Sequence, residues 1–229
     1  MIVNCLIIKI FLKQFDDKLY NYFNYIYSNE YINITSKKFD DYSGICTTLH
    51  TNKKSYIKII ADNPYYISPI LLHEYGHAYE NLIHKNDSYW FYNICIYMEV
   101  FPIFLALAFD DFIMHTNYYN QGKNDICNLI TTTLLLASEL KKYFTNVKLK
   151  NYDDVTDFIQ FYGSNIALAF FEQYKIDKKS CNRNVNYFIE NNDIVFSDNL
   201  LKSADIDLKR LYSGDYYKSF CYKQKRLIR

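Results

Sequence analysis

Apolar positions along this chain recur mostly at three- and four-residue spacing, the period of one helix face. The pattern predicts helices near residues 6–28, 69–84, 88–114, 124–145 and 154–175, with shorter ones after 183. One region departs from it. "GICTTLH" and "SYIKIIAD", rich in β-branched and aromatic residues, flank the polar turn "TNKK" and predict a β-hairpin. "DNPYY" then leads to Ser68-Pro69, a capping side chain followed by proline at a first helical position, so a helix is expected to start at residue 69. The expected fold class is mainly α with a small β-hairpin or sheet. No internal repeat or linker divides the chain, and residues 1–229 read as a single domain.

Composition narrows the function. Half of the 229 residues are apolar, enough for a sizeable core. The net charge of +1 comes from 26 basic and 25 acidic residues that are well mixed, which gives no reason to expect a nucleic-acid partner. The basic tail "KQKRLIR" reads as a solvated end. Cys5, Cys46, Cys95, Cys127, Cys181 and Cys221 form no C-x-x-C pair and read as reduced thiols, Cys95 as a buried one, so the expected compartment is cytoplasmic. The opening "MIVNCLIIKIFLKQF" is interrupted by Lys9 and Lys13 and lacks a small-residue cleavage site; it reads as a first buried helix. The five glycines lie more than thirty residues apart, which removes every glycine-rich phosphate loop and the G-x-S-x-G elbow.

The informative stretch is "SPILLHEYGHAYENL", with His73, Glu74 and His77 in the H-E-x-x-H arrangement. Four residues apart on a helix, the two imidazoles share a face and can reach one Zn²⁺ at roughly 2.0–2.1 Å per nitrogen. Glu74 is rotated by about 100° from His73, unsuited to ligation but placed to take a proton from an attacking water. Gly76 keeps the helix face between base and second ligand uncrowded. His84 lies roughly 10 Å beyond His77 and reads as a helix-end residue, and Glu80 as either a support for the site or a solvent-facing carboxylate.

A catalytic zinc has three protein ligands, so one more is needed. Positions 80 and 83 hold Glu80 and Ile83, not a third histidine. The apolar run at 90–109, "WFYNICIYMEVFPIFLALAF", carries a single charge, Glu99. A membrane span is one reading of it, but Asn93, Glu99 and the interrupting Pro102 oppose that, and no basic bias flanks it. The preferred reading has no membrane: a buried helix turns back beside the first, and the metal neutralises Glu99. A buried structural carboxylate is the alternative.

These residues resemble the M3 family of zinc peptidases, the thimet oligopeptidase and oligoendopeptidase F group, with H-E-x-G-H on one helix and a glutamate on the next. "NITSKKFDDYSGICTTL", "IKIIADNPYYISPILLHEYGHA", "FIQFYGSNIALAFFEQY" and "LLKSADIDL" are similar to further family segments, over roughly residues 20–225. The resemblance implies a zincin-like (gluzincin) catalytic domain with one Zn²⁺ on His73, His77 and Glu99, and Glu74 as general base. It implies a tyrosine as oxyanion donor, Tyr162 by preference and Tyr152 as a loop alternative. Three departures stand out. The family's large helical region that forms the opposite channel wall is missing ahead of this part, "VFPIF" replaces Pro-Ser-Gln after Glu99, and no histidine follows His115. The expected activity is hydrolysis of oligopeptides by a zinc metallopeptidase. The alternative is a weak or inactive zinc-binding remnant, or one half of a split peptidase whose partner chain supplies the missing wall.

Overall fold

Asp16 interrupts the first long helical run. The computed structural model describes residues 2–35, 43–49, 51–52, 54–61, 63–84, 97–118, 122–129, 131, 152–192 and 197–220. The single helix expected over 6–28 forms as two, α1 (Ile2–Phe15) and α2 (Asp17–Ser28). The Asp16 carboxylate accepts from the backbone N–H groups of Lys18 and Leu19, satisfying donors that α2 would otherwise leave bare. The apolar period runs on across this point, with no Gly or Pro to mark the break.

The hairpin forms as expected, from β2 (Ser43–Leu49) and β3 (Lys54–Ile60), antiparallel, with Gly44 opposite Ile59 and Thr48 opposite Ser55. A strand the period did not reveal, β1 (Ile32–Thr35), pairs in parallel with the other edge of β3. Four residues are too few to display alternation. Ser55, Ile57 and Ile59 of β3 are buried while Tyr56 and Lys58 face outward, and α3 (Pro64–Ile83) packs against β2 and β3.

The helix carrying His73 begins five residues earlier than expected. Asn63, not Ser68, is the cap: its side chain accepts from Tyr65 N at 2.9 Å and donates to Asp125 at 3.2 Å. Pro64 takes the first helical position, and Ser68 and Pro69 lie buried inside the helix. Two successive cap–proline pairs compete here, and Asn63, bonded to both Tyr65 N and Asp125, starts the helix.

The chain divides into two compact units, Met1–Tyr92 with Leu105–Ile130, and Asn93–Phe104 with Thr131–Arg229. In the first, Phe11 meets Phe109 edge-on at 5.4 Å, both from buried positions, and Phe109 belongs to α4 (Val100–Met114). Tyr75 of α3 is fully buried; it stands edge-on to Phe23 at 5.3 Å and donates to the Leu19 carbonyl at 2.5 Å. In the second, α5 (Tyr152–Ile176) packs on α6 (Lys178–Asn191), followed by the short α7 (Asp198–Ser203) and α8 (Leu208–Ser213). Polar side chains of α5 tie these down: Asn165 donates to the Leu211 carbonyl at 2.8 Å, and Glu172 pairs with Arg210 at 2.8 Å.

Helix is seen over 123–129 of the expected 124–145. Its part beyond 131, residues 88–96 with Asn93 and Cys95, Cys221 and the basic tail lie outside the described residues. Among the described residues no helix is long and apolar enough to cross a membrane.

Candidate metal centre

His73, Glu74 and His77 occupy the middle of α3. The two imidazole rings stand 5.0 Å apart, centroid to centroid, at 85°, and both are partly exposed. Glu74, turned one position round the helix, is 8% exposed. It is seated against the sheet at Gly44, where an added Cβ would lie 2.7 Å from Glu74 Cγ and Oε1 and 2.7 Å from Ile70 Cγ2. Further along, Asn81 donates to Thr48 Oγ1 at 2.8 Å, and Thr48 Oγ1 lies 2.7 Å from Ser55 Oγ. The helix therefore follows β2 in the same direction, with Gly44, Cys46 and Thr48 beneath it. Small side chains in that row let the helix lie close. The Cys46 thiol is pushed up to about 12, first by burial and then by the charge on Glu74, so it is an inert filler. Glu80 is buried at 1% exposure, which removes its solvent-facing alternative, and His84 caps the end of α3.

Glu99 lies not inside a helix but in the turn Tyr97–Glu99 that starts α4, where its carbonyl accepts from Ile103 N at 3.3 Å. Pro102 does not interrupt the run. It falls in the first turn of α4, where the missing N–H has no intrahelical acceptor to lose. The Glu99 side chain is buried, and α5 approaches it closely. A Cβ on Gly163 would lie 2.7 Å from Glu99 Cβ and 3.2 Å from its backbone carbonyl carbon. Two residues earlier, the buried Tyr97 hydroxyl accepts from Ser197 N at 2.7 Å, which fixes the start of α7.

Tyr162, next to Gly163 on α5, is 5% exposed and its hydroxyl is hydrogen-bonded to that of Tyr212. Tyr212 in turn donates to the Asp198 carboxylate. A phenol has one proton, so with the Tyr212 proton on Asp198 the bond between the two tyrosines uses the Tyr162 proton. Burial above all, and then Tyr212, raise the Tyr162 phenol beyond the usual range; Tyr212 is pushed up to about 12 by desolvation and by its bond to Asp198. Tyr152 is the first residue of α5 rather than part of a loop. The sequence pattern offered nothing to mark Tyr97, Asp198 or Tyr212, because tyrosine is common throughout and the link spans residues far apart. Gly44 and Gly163 did carry a signal: both are rare glycines inside otherwise regular elements.

One donor atom from each of His73, His77 and Glu99 falls within 4.8 Å of the other two. Two imidazole nitrogens and a carboxylate oxygen at that spacing fit a divalent metal ion.

The sequence matches no family model and no curated protein. Its fold has counterparts among solved structures. A Bacillus anthracis protein assigned as oligoendopeptidase F superposes with a TM-score of 0.72 at 13% identity, over 97% of this chain and 45% of that one. The fold is that of oligoendopeptidase F. A second structure assigned to oligoendopeptidase F gives a TM-score of 0.67 at 14% identity, covering 97% of this chain and 47% of its own. PZ peptidase A, solved with an inhibitor, gives 0.67 at 13% identity, over 94% of this chain and 48% of its own. The mainly helical gluzincin-type fold with a small sheet is therefore the one observed, and the chain spans a little under half the length of the structures it matches.

Proposed function

We propose that the chain is a zinc-dependent peptidase of the M3 type that hydrolyses short peptides. The observation that carries this reading is the convergent donor set of His73, His77 and Glu99, with the H-E-x-x-H glutamate buried beside it and the oligoendopeptidase fold around it. One zinc ion per chain would be held by these three residues; bound there, it would polarise the scissile carbonyl and acidify the attacking water. Glu74 takes that water's proton and returns it to the leaving amine, the work of a general base and then a general acid. Its buried seat against β2 keeps the carboxylate in one orientation while the reaction proceeds. Tyr162 is the candidate donor to the developing oxyanion, and reaches it by exchanging Tyr212 for the substrate oxygen. β2 lies at an edge of the sheet and offers its open side to an extended peptide, with exposed Ile45 and Leu49 along it. We take the compartment to be the cytosol, in keeping with the free thiols of Cys5, Cys46 and Cys181.

A second reading is a zinc-binding half of a split peptidase, with weak or no turnover alone and a substrate channel completed by a partner chain. Metal content and hydrolysis of a quenched fluorescent peptide library, measured on wild type, Glu99→Ala and Glu74→Gln, separate the two. Near-stoichiometric zinc that is lost in Glu99→Ala, with turnover reduced about 10²–10⁴-fold in Glu74→Gln, is the expected result. Zinc without wild-type turnover selects the partner-dependent half, and absence of zinc from the wild type sinks both.

A further inference from the structure

We propose that Gly44 and Gly163 are positioning residues that divide the site between them: Gly163 places the metal ligand Glu99, and Gly44 places the base Glu74. This rests on the reading that His73, His77 and Glu99 hold the metal and Glu74 moves the proton. Each carboxylate is buried and each is met by a glycine of a different element, within its own unit. Both approaches leave no room for a methyl group. A Cβ at position 44 would sit 2.7 Å from Glu74 Cγ and Oε1, and one at position 163 would sit 2.7 Å from Glu99 Cβ, about an ångström inside ordinary carbon contact.

The two clashes differ in what can yield. At position 44 the obstructing atoms belong to the outer half of the Glu74 side chain and to a methyl of Ile70. These can rotate away, so an alanine displaces the carboxylate and leaves the helix, with both histidines, in place. At position 163 the clash involves Glu99 Cβ, with the backbone carbon at 3.2 Å and Cα at 3.4 Å also tight. No rotamer change moves a Cβ away, so an alanine must shift the ligand's backbone. Alanine at 44 therefore acts on turnover with metal binding kept, and alanine at 163 acts on metal binding itself.

The test measures zinc affinity by competition with a chelator, kcat at saturating zinc, and the melting temperature of the zinc-free protein. Gly163→Ala should weaken zinc binding by about 10–100-fold, the range seen when a group orienting a ligand is lost. Gly44→Ala should lower kcat by about 10–100-fold while leaving zinc affinity within about threefold, since a displacement near an ångström at a reacting group has effects of that order. Gly122→Ala, whose Cβ would collide with the Tyr65 ring, is the control: it should lower the melting temperature and leave zinc affinity unchanged. If Gly163→Ala gives no folded protein, the pair Gly163→Ala/Glu99→Gly removes the nearest obstructing atom and should restore folding; failure of that pair to fold overturns the assignment. Wild-type zinc affinity in Gly163→Ala, or wild-type kcat in Gly44→Ala, also overturns it while leaving the peptidase reading intact. A wild type that binds no zinc removes the peptidase reading and this inference together.

Discussion

Glu74 and Glu99 are both buried carboxylates pressed against a glycine, yet they are held in different ways. Glu74 projects from the middle of a regular helix lying along β2, and the contact with Gly44 is made by its side-chain tip. Glu99 sits in a turn ahead of α4, and the contact with Gly163 is made by its Cβ and backbone. The base is kept in one orientation by packing against its side chain, which a rotamer change can undo. A ligand must stay where it is, and a backbone wedged against a helix enforces that. Around Glu99 the fixing continues through hydroxyls, from Tyr97 to Ser197 and from Tyr162 through Tyr212 to Asp198. Along the Glu74 helix the bonds run to small residues of the hairpin, from Asn81 to Thr48 and between Thr48 and Ser55.

The hydroxyl chain offers the largest effect that can break this comparison, outside the two glycines. Tyr212→Phe leaves the buried Tyr162 hydroxyl without its acceptor. The expected outcome is a fall in kcat of about tenfold from lost orientation of Tyr162, with KM within about twofold and zinc content unchanged. Asp198→Asn should act in the same direction and more weakly, because the amide still accepts from Tyr212. Steady-state kinetics on zinc-loaded protein decide it. If Tyr162→Phe lowers kcat and Tyr212→Phe does not, the chain is packing alone and the second region has no more functional order than the first.

How far the sequence reveals each region follows from the same contrast. The spacing of His73 and His77 is local, and a helix carries local spacing directly into geometry, so that half of the site could be read from residues four apart. The hairpin was legible for the same reason, its strands being joined by the turn at 51–52. Glu99 stood out only because it is the one charge in an apolar run, and its place in a turn rather than a helix was hidden because Pro102 serves equally as breaker or as first-turn residue. The start of α3 was misplaced because Asn63-Pro64 and Ser68-Pro69 carry the same local signal. Asn63 is set apart by its contact with Asp125, 62 residues away. Gly163 and Tyr212 depend on long-range packing from the outset, and no period encodes that.

A smaller effect separates the regions by pH. In the first unit the Tyr22 phenol is pushed up to about 12, chiefly by burial, and the fully buried Tyr75 lies well above the ordinary value of 10.0 for the same cause. A phenol whose folded pKa is raised favours folding at full strength below its unfolded pKa. That contribution falls away as pH rises from about 10, where the unfolded chain ionises, to the folded value near 12. Urea titrations at pH 8 and pH 11 should therefore show a loss of stability on the alkaline side. Tyr22→Phe should reduce that loss by on the order of 1–2 kcal/mol, allowing for its partial exposure. An equal alkaline loss in wild type and Tyr22→Phe would assign the loss to the other raised phenols, Tyr75, Tyr162 and Tyr212, instead.

The smallest predicted effect tests whether the start of α3 is coupled to its catalytic middle. Asn63→Ala removes the acceptor for Tyr65 N and the bond to Asp125, and loss of such a cap is expected to lower stability by about 1 kcal/mol. The cap lies ten residues before His73, nearly three turns away, and the intervening helix is held by buried Leu71, Leu72 and Tyr75, the last packed on α2, independently of its first turn. Zinc affinity should therefore stay within about twofold of wild type while the urea midpoint falls. A proportional loss of zinc affinity would mean that α3 moves as a rigid rod when its end frays. In that case the seat at Gly44 would not hold Glu74 alone but would register the whole helix, and the contrast between a base held at its side chain and a ligand held at its backbone would fail.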